Sequence, residues 1–300
     1  MNFKSKLLSL STFLIIGSLL FVGCKKNEEV QKTVLSVKGS DTMVNLSQKW
    51  AENYMKKNTS ASVQVTGGGS GTGVAALLNG TMDIANASRE LKQKEYDKAK
   101  EKGITPREYK VALDGIAVIV SPENPINELS IAQLRDLFIG KTTNWKEIGG
   151  NDSPITLYGR ENSSGTYEFF KGRVLSKDER GVKRDFATST QVLQGTAALG
   201  EAVAKDTKGV GYGGVGYFAL RTDVKILKVK AENDSKAIAP AENGKVNYEA
   251  IWSGDYPISR YLYCYTNGSA EKKIKDFLEY ILSQDGQDLV KQMEYIPLPK

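Results

Sequence analysis

Three short stretches end a β-branched run in small hydroxyl residues and then turn helical: "KGSDTMVNL" (38–46), "TGGGSGTGV" (66–74) and "ENSSGTYEF" (161–169). Each places free backbone N–H groups at a helix start, where aligned peptide dipoles add about half a positive charge. Glycine lets a ligand approach the backbone closely, and Ser and Thr hydroxyls rotate to donate as required. That combination suits an oxyanion. A single such loop is explained equally well by helix capping. Three in one chain, two in one predicted domain and one in the other, favour the oxyanion.

The glycine-rich loop is not a nucleotide cradle. "GGGSGTG" lacks the lysine of the phosphate loop of nucleotide hydrolases, and its glycines miss the G-x-G-x-x-G register. Arg160, just before "ENSSGT", is the charged group beside these neutral donors, able to hold two oxyanion oxygens at once. An interdomain or surface ion pair is its alternative role. Few charges and many dipoles fit an enclosed, dehydrated anion.

Other chemistry is poorly served. The sequence holds no histidine, which rules out a Ser-His-Asp or Cys-His site and the common zinc arrangements. No acidic cluster has calcium-loop spacing, and no pair of carboxylates stands out for glycoside chemistry. We therefore expect no enzyme, no cofactor and no metal. A hydrolase with Ser70 or Ser164 as nucleophile is the reading from another class. Net charge is +6, with basic residues spread in pairs rather than in an arginine-rich patch, so nucleic acid is a poor partner.

The elements that must position the loops follow an α/β alternation. "TVLSVKGS", "ASVQVTGGG" and "MDIANASRE" read as strands. In "NLSQKWAENYMKKN", Leu46, Trp50 and Tyr54 share one helix face. A charged helix is expected from Leu91 to Lys102. "YKVALDGIAVIVSPENP" reads as a long strand crossing to a second domain, and Ser130 caps the helix "SIAQLRDLFIG". "PITLYGRENSSGTYEFFKGRVL" repeats strand, loop and helix, while "GVGYGGVGYFALR" and "VKILKV" read as further strands. "YPISRYLYCYTNG" returns the chain to a discontinuous first domain with two C-terminal helices.

Lys4 and Lys6 precede the apolar run at residues 7–23, and Cys24 follows. This reads as a signal peptide, residues 1–23, with an uncleaved N-terminal anchor helix as the alternative. The Gly23-Cys24 junction resembles a bacterial lipobox, making Cys24 the lipidated (palmitate-bearing) first residue of a tether over 24–33. Either way the body lies outside the cytoplasm. Cys264, in an alternating aromatic run, is expected to be a buried apolar thiol.

From Val34 onward, "GSDTM", "GGGSGTGV", "MDIANASRE", "LFIGKTTNWKEIGG", "GRENSSGT" and "GVGYGGVGYF" occur in an order that resembles the extracytoplasmic phosphate-binding proteins of bacterial high-affinity phosphate ABC importers. The resemblance implies an α/β, two-lobed periplasmic-binding-protein-like fold (type II) with a mixed sheet in each lobe and two hinge strands. It places lobe 1 at 34–115 plus 258–300 and lobe 2 at 116–257. It implies a monomer that binds inorganic phosphate, is anchored to the membrane through Cys24, and delivers its ligand to ABC permease subunits. Carried over by motif, the phosphate contacts are Thr42, Met43, Ser70, Ser88, Arg160, Ser164, Gly165 and Thr166, with Ser40, Asp41, Gly71 and Asp114 as further candidates. Ser88 stands where a well-known form of the family has a proton-accepting aspartate, so either another carboxylate, Asp114 or Asp41, takes that task or discrimination is achieved differently. Asn162 replaces an acidic neighbour of the arginine, so Arg160 is expected to be less neutralised. Other tetrahedral oxyanions (sulfate, molybdate), or a surface or sensor protein on the same fold, are the alternatives.

Overall fold

The computed structural model describes residues 33–176, 181–268 and 271–299. The signal segment, Cys24 and most of the tether lie outside the described residues. In chain order the elements are β1 (Thr33–Gly39), α1 (Val44–Lys57), β2 (Ala61–Thr66), α2 (Ser70–Leu78), β3 (Ile84–Ala87), α3 (Gln93–Glu101), β4 (Pro106–Val120), β5 (Glu128–Ser130) and α4 (Ile131–Phe138). Then come β6 (Thr156–Arg160), α5 (Gly165–Phe170), β7 (Gln191–Leu193), α6 (Gly195–Ala204), β8 (Gly209–Gly214) and α7 (Val215–Phe218). The chain finishes with β9 (Lys225–Ile226), β10 (Lys228–Lys230), β11 (Ala241–Glu242), β12 (Lys245–Val246), α8 (Tyr248–Trp252), β13 (Ser259–Asn267), α9 (Lys272–Leu282) and α10 (Gln284–Gln292).

The main sheet runs β2-β1-β3-β13-β4-β8-β6-β7, with β9 also on β4. β1 pairs in parallel with β2 and β3, and β6 in parallel with β7 and β8. The antiparallel strands β4 and β13 join these two parallel sets. β4 changes partner midway: Pro106–Gly115 lies against β13, and Ile116–Val120 against β8. A single strand thereby belongs to both halves of the sheet.

The apolar clusters divide at the same place. Val111 and Ala112 pack with Leu35, Leu46, Trp50 and Phe277, whereas Leu113 and Ile116–Val120 pack with Phe138, Phe170, Tyr212 and Ile258. A third cluster under α2 joins Val74 and Leu77 to Tyr263 and Tyr265. The face expected on α1 is buried, with Leu46, Trp50 and Tyr54 turned inward. Ser130 caps α4, its hydroxyl accepting the Gln133 N–H at 3.1 Å.

Two expected elements differ. The charged helix starts at Gln93, because Glu95 reaches back to accept the Lys92 N–H at 2.8 Å and fixes the first turn there. "GVGYGGVGYFALR" is a strand only to Gly214. Beyond it Val215 and Phe218, three residues apart and both buried, follow helical spacing as α7. Cys264 is buried on β13 and its thiol is pushed up to about 12 by desolvation. Among the described residues no helix is long and apolar enough to cross a membrane, and no group of three His, Cys, Asp or Glu residues could hold a metal ion.

Candidate functional site

The three Gly/Ser/Thr loops all emerge from carboxyl ends of parallel strands, the place where open α/β sheets present ligands. After β1 the chain turns at once. Gly39 has φ +148°, and a Cβ there would lie 2.0 Å from the Asn86 carbonyl oxygen. Asp41–Met43 then form a short 3-10 turn that leads into α1. Asp41 accepts the Gly68 N–H at 2.8 Å, tying the first loop to the glycine-rich one.

The loop after β6 lies directly against both. The Gly71 N–H donates to the Ser163 carbonyl at 3.0 Å, and the Thr42 and Thr166 hydroxyls are 2.8 Å apart. Gly165 fits between two serines: a Cβ at this position would meet Ser70 Oγ at 2.2 Å and Ser88 Oγ at 2.4 Å. Those serine oxygens are themselves 3.3 Å apart, and Ser70 Oγ accepts the Ser88 N–H at 3.1 Å. Thr42, Ser70, Ser88, Gly165 and Thr166 therefore converge on one buried seam.

Other expected residues stand around it with their groups already engaged. Ser164 Oγ accepts the N–H groups of Thr166 and Tyr167, both at 3.2 Å, as the cap of α5. The Met43 N–H donates to the Ser40 carbonyl, and its side chain is wholly buried in the core beneath α1. The Ser40 hydroxyl is buried and has no hydrogen-bond partner.

Arg160 is 1% exposed. Its Nη1 donates to Thr196 Oγ1 at 2.8 Å, and its Nε and Nη2 grip Glu161 at 3.0 and 2.9 Å. Nη2 also reaches Asp41 Oδ2 at 3.4 Å. The expectation that Asn162 leaves this arginine less neutralised is therefore wrong. The immediately following carboxylate folds back onto the guanidinium, and Glu161 is fixed further by the Gly195 N–H at 3.2 Å. Burial pushes the Glu161 carboxyl up, but the Arg160 bonds and charge hold it below its usual range. Burial raises Asp41, against the opposing pull of the Gly68 N–H and Arg160.

A second buried arginine was not anticipated. Arg260 on β13 is the register partner of Asp114 on β4. Its Nη2 and Nε donate to Asp114 Oδ2 at 2.8 and 3.3 Å. Nη2 also donates to Thr166 Oγ1 at 2.9 Å and Thr42 Oγ1 at 3.4 Å, and Nη1 to the Ser88 carbonyl at 2.9 Å. The Asp114 carboxyl is raised by its complete burial, which Arg260 and the Val215 N–H only partly offset, and its Oδ1 makes no full hydrogen bond. In the sequence, Arg260 is one polar residue of an alternating strand. Its one visible signal is that "ISRYLYCY" crosses beside "ALDGIAV".

Two guanidiniums and three carboxylates thus meet at the seam, so the carboxylates fully offset the positive charge there. What remains for a ligand is a set of directed hydroxyl and N–H dipoles with little net field, the arrangement that holds an anion without water.

The chain matches the model of the PBP superfamily domain over residues 26–285. It is 32% identical over 282 residues to the phosphate-binding protein PstS of Pseudomonas aeruginosa, covering 88% of this chain and 83% of that one. With PstS of Bacillus subtilis the identity is 32% over 278 residues, covering 91% and 83%. The crystal structure of a phosphate ABC transporter substrate-binding protein from Clostridium perfringens, with bound phosphate, superposes with a TM-score of 0.76 at 29% identity, covering 89% of this chain and all of that one.

Proposed function

The chain belongs to the PBP superfamily and, within it, to the bacterial phosphate-binding proteins, and on that premise we propose that it captures inorganic phosphate between two lobes and delivers it to an ABC permease. Such proteins are transport receptors and not enzymes. The observation that carries the reading is the packing of Gly165 against Ser70 and Ser88, which brings the loop after β6 onto the glycine-rich loop.

The phosphate contacts are Thr42, Met43, Ser70, Ser88, Arg160, Ser164, Gly165 and Thr166, flanked by Ser40, Asp41, Gly71 and Asp114. Lobe 1 comprises 34–115 with 258–300, and lobe 2 comprises 116–257. Opening about β4 and β13 separates Thr42 from Thr166 and admits the ion. Closing returns their hydroxyls to it and presents the closed face to the permease. The Arg160 charge is shared with Glu161 and Asp41, so the anion is held mostly by dipoles and can leave again. Asp114 takes the proton-accepting task that Ser88 cannot perform. Its Oδ1 makes no full hydrogen bond within the protein, and in the ionised form, which Arg260 and the Val215 N–H favour against burial, a carboxylate accepts only and favours a ligand oxygen that bears hydrogen. Sulfate offers no such hydrogen, so the arrangement discriminates against it.

The mature receptor is a monomer held at the outer face of the cytoplasmic membrane through lipidated Cys24. Isothermal titration of the purified protein tests the ligand: a single phosphate per chain with micromolar or tighter affinity, about −8 kcal/mol or better, is expected. Absence of phosphate binding would contradict the reading. Labelling with radioactive palmitate that survives in wild type and vanishes in Cys24→Ala tests the anchor.

A further inference from the structure

We propose that Arg260 is a ligand-contacting residue of the anion site, a second guanidinium that touches the bound oxyanion from the crossing strands while holding loops from both halves of the sheet. The inference rests on the phosphate reading above and adds to it a residue that no loop motif reveals.

Arg260 does not lie on any of the three loops. It stands on β13 opposite Asp114, where the two strands that join the halves of the sheet run side by side. Its fork nevertheless reaches the seam. Nη2 lies 2.9 Å from the Thr166 hydroxyl and 3.4 Å from that of Thr42, which come from opposite halves. The guanidinium also stacks over the Phe169 ring, 5.4 Å from its centroid, and this fixes the plane of the fork.

The hydrogen count leaves one N–H of the fork available. A guanidinium has five N–H groups. Nε and one Nη2 hydrogen go to Asp114, the other Nη2 hydrogen is shared by the two threonines, and one Nη1 hydrogen goes to the Ser88 carbonyl. One Nη1 hydrogen is left without a protein acceptor among the described residues. Buried unsatisfied groups of this kind are uncommon; two of the six found among the described residues, Asp114 Oδ1 and Ser40 Oγ, lie on residues of this site beside the available Arg260 N–H, which fits a further polar species there.

Arg260 also orients the hydroxyls. A threonine oxygen that accepts from a guanidinium must direct its own hydrogen elsewhere; the Thr42 and Thr166 hydroxyls are 2.8 Å apart, so one of their two hydrogens bridges them and one remains for a ligand. Besides the task proposed for its Oδ1, Asp114 positions the fork, because its Oδ2 takes two of the five N–H groups and sets the tilt. An ammonium at this position would supply the charge without the fork geometry.

The test is titration of inorganic phosphate into purified wild type, Arg260→Lys and Arg260→Gln, with thermal unfolding of each measured with and without phosphate. Wild type should bind. Arg260→Gln should lose about 10- to 100-fold in affinity, and its phosphate-induced rise in unfolding temperature should shrink. Arg260→Lys should fall between the two. A folded Arg260→Gln with wild-type affinity overturns the inference and leaves the phosphate reading intact. If Arg260→Gln does not fold, Arg260→Lys decides: wild-type affinity overturns the inference, and a loss of about tenfold or more supports it. Failure of wild type itself to bind phosphate overturns the phosphate reading and this inference with it.

Discussion

Gly165 and Ser70, from loops 95 residues apart in the chain, approach so closely that a Cβ on the glycine would lie 2.2 Å from the serine hydroxyl. No side chain fits there without moving Ser70, Ser88 or the whole loop. Gly165→Ala should therefore hinder closure and weaken phosphate binding by about 1–3 kcal/mol, the usual cost of overpacking. The loop lies at the junction of the two halves and not within either apolar core, so the unfolding temperature without ligand should change little. Titration and thermal unfolding together check this, and unchanged affinity would show that the two loops do not close on the ligand.

Arg160→Ala removes a buried charge that holds Glu161, Thr196 and Asp41. Ser164→Ala removes the hydroxyl that caps α5. Each should weaken phosphate binding by about 1–3 kcal/mol, since buried partners are left unpaired. Ser164→Ala should also lower stability by about 0.5–2 kcal/mol through the lost cap. Unchanged affinity in both variants would remove the loop after β6 from the site.

Trp50 separates stability from binding. It is fully buried on α1 and its indole N–H donates to the Gly286 carbonyl at 2.8 Å, pinning the start of α10. Trp50→Ala should cost about 3–5 kcal/mol of stability, read by urea unfolding. Protein that remains folded should retain phosphate affinity, because the residue touches none of the seam.

The Arg89–Glu95 pair gives a pH signature. The two terminal guanidinium nitrogens of Arg89, immediately after Ser88, bond the carboxylate at 2.8 Å. Burial alone would raise the Glu95 carboxyl, but Arg89 and the Lys92 N–H outweigh it and hold the group below its ordinary 4.5. A depressed carboxylate contributes stability above its unfolded value and loses it as pH falls through the folded one. Glu95→Gln should therefore be less stable than wild type at neutral pH, by about 1–3 kcal/mol. The gap should close as pH drops below the ordinary carboxylate range. A gap that persists at acid pH would mean that packing, not charge, holds the pair.

The loops were legible because strand, small hydroxyl residues and helix follow one another within a few positions, and such local order needs no knowledge of the fold. The α1 face was legible for the same reason. Arg260 was not, because its meaning depends on a partner 146 residues away across β4, and an arginine in an alternating strand reads as solvent-facing. Glu161 was overlooked for a different reason. Adjacent residues on a strand point to opposite faces, but beyond the end of β6 the backbone turns and brings both side chains together. The end of the strand at Gly214 was hidden by its glycines, which carry no period of their own.

The central claim is that the seam recognises phosphate by hydroxyl and N–H dipoles with a carboxylate that accepts the ligand's proton. Competition of sulfate against bound phosphate, followed by titration between about pH 5 and 8 where phosphate changes its protonation, tests it most directly. The account predicts that sulfate at equal concentration fails to displace phosphate at any pH in that range. Equal competition by sulfate would contradict it, leaving a general oxyanion receptor in place of a phosphate receptor.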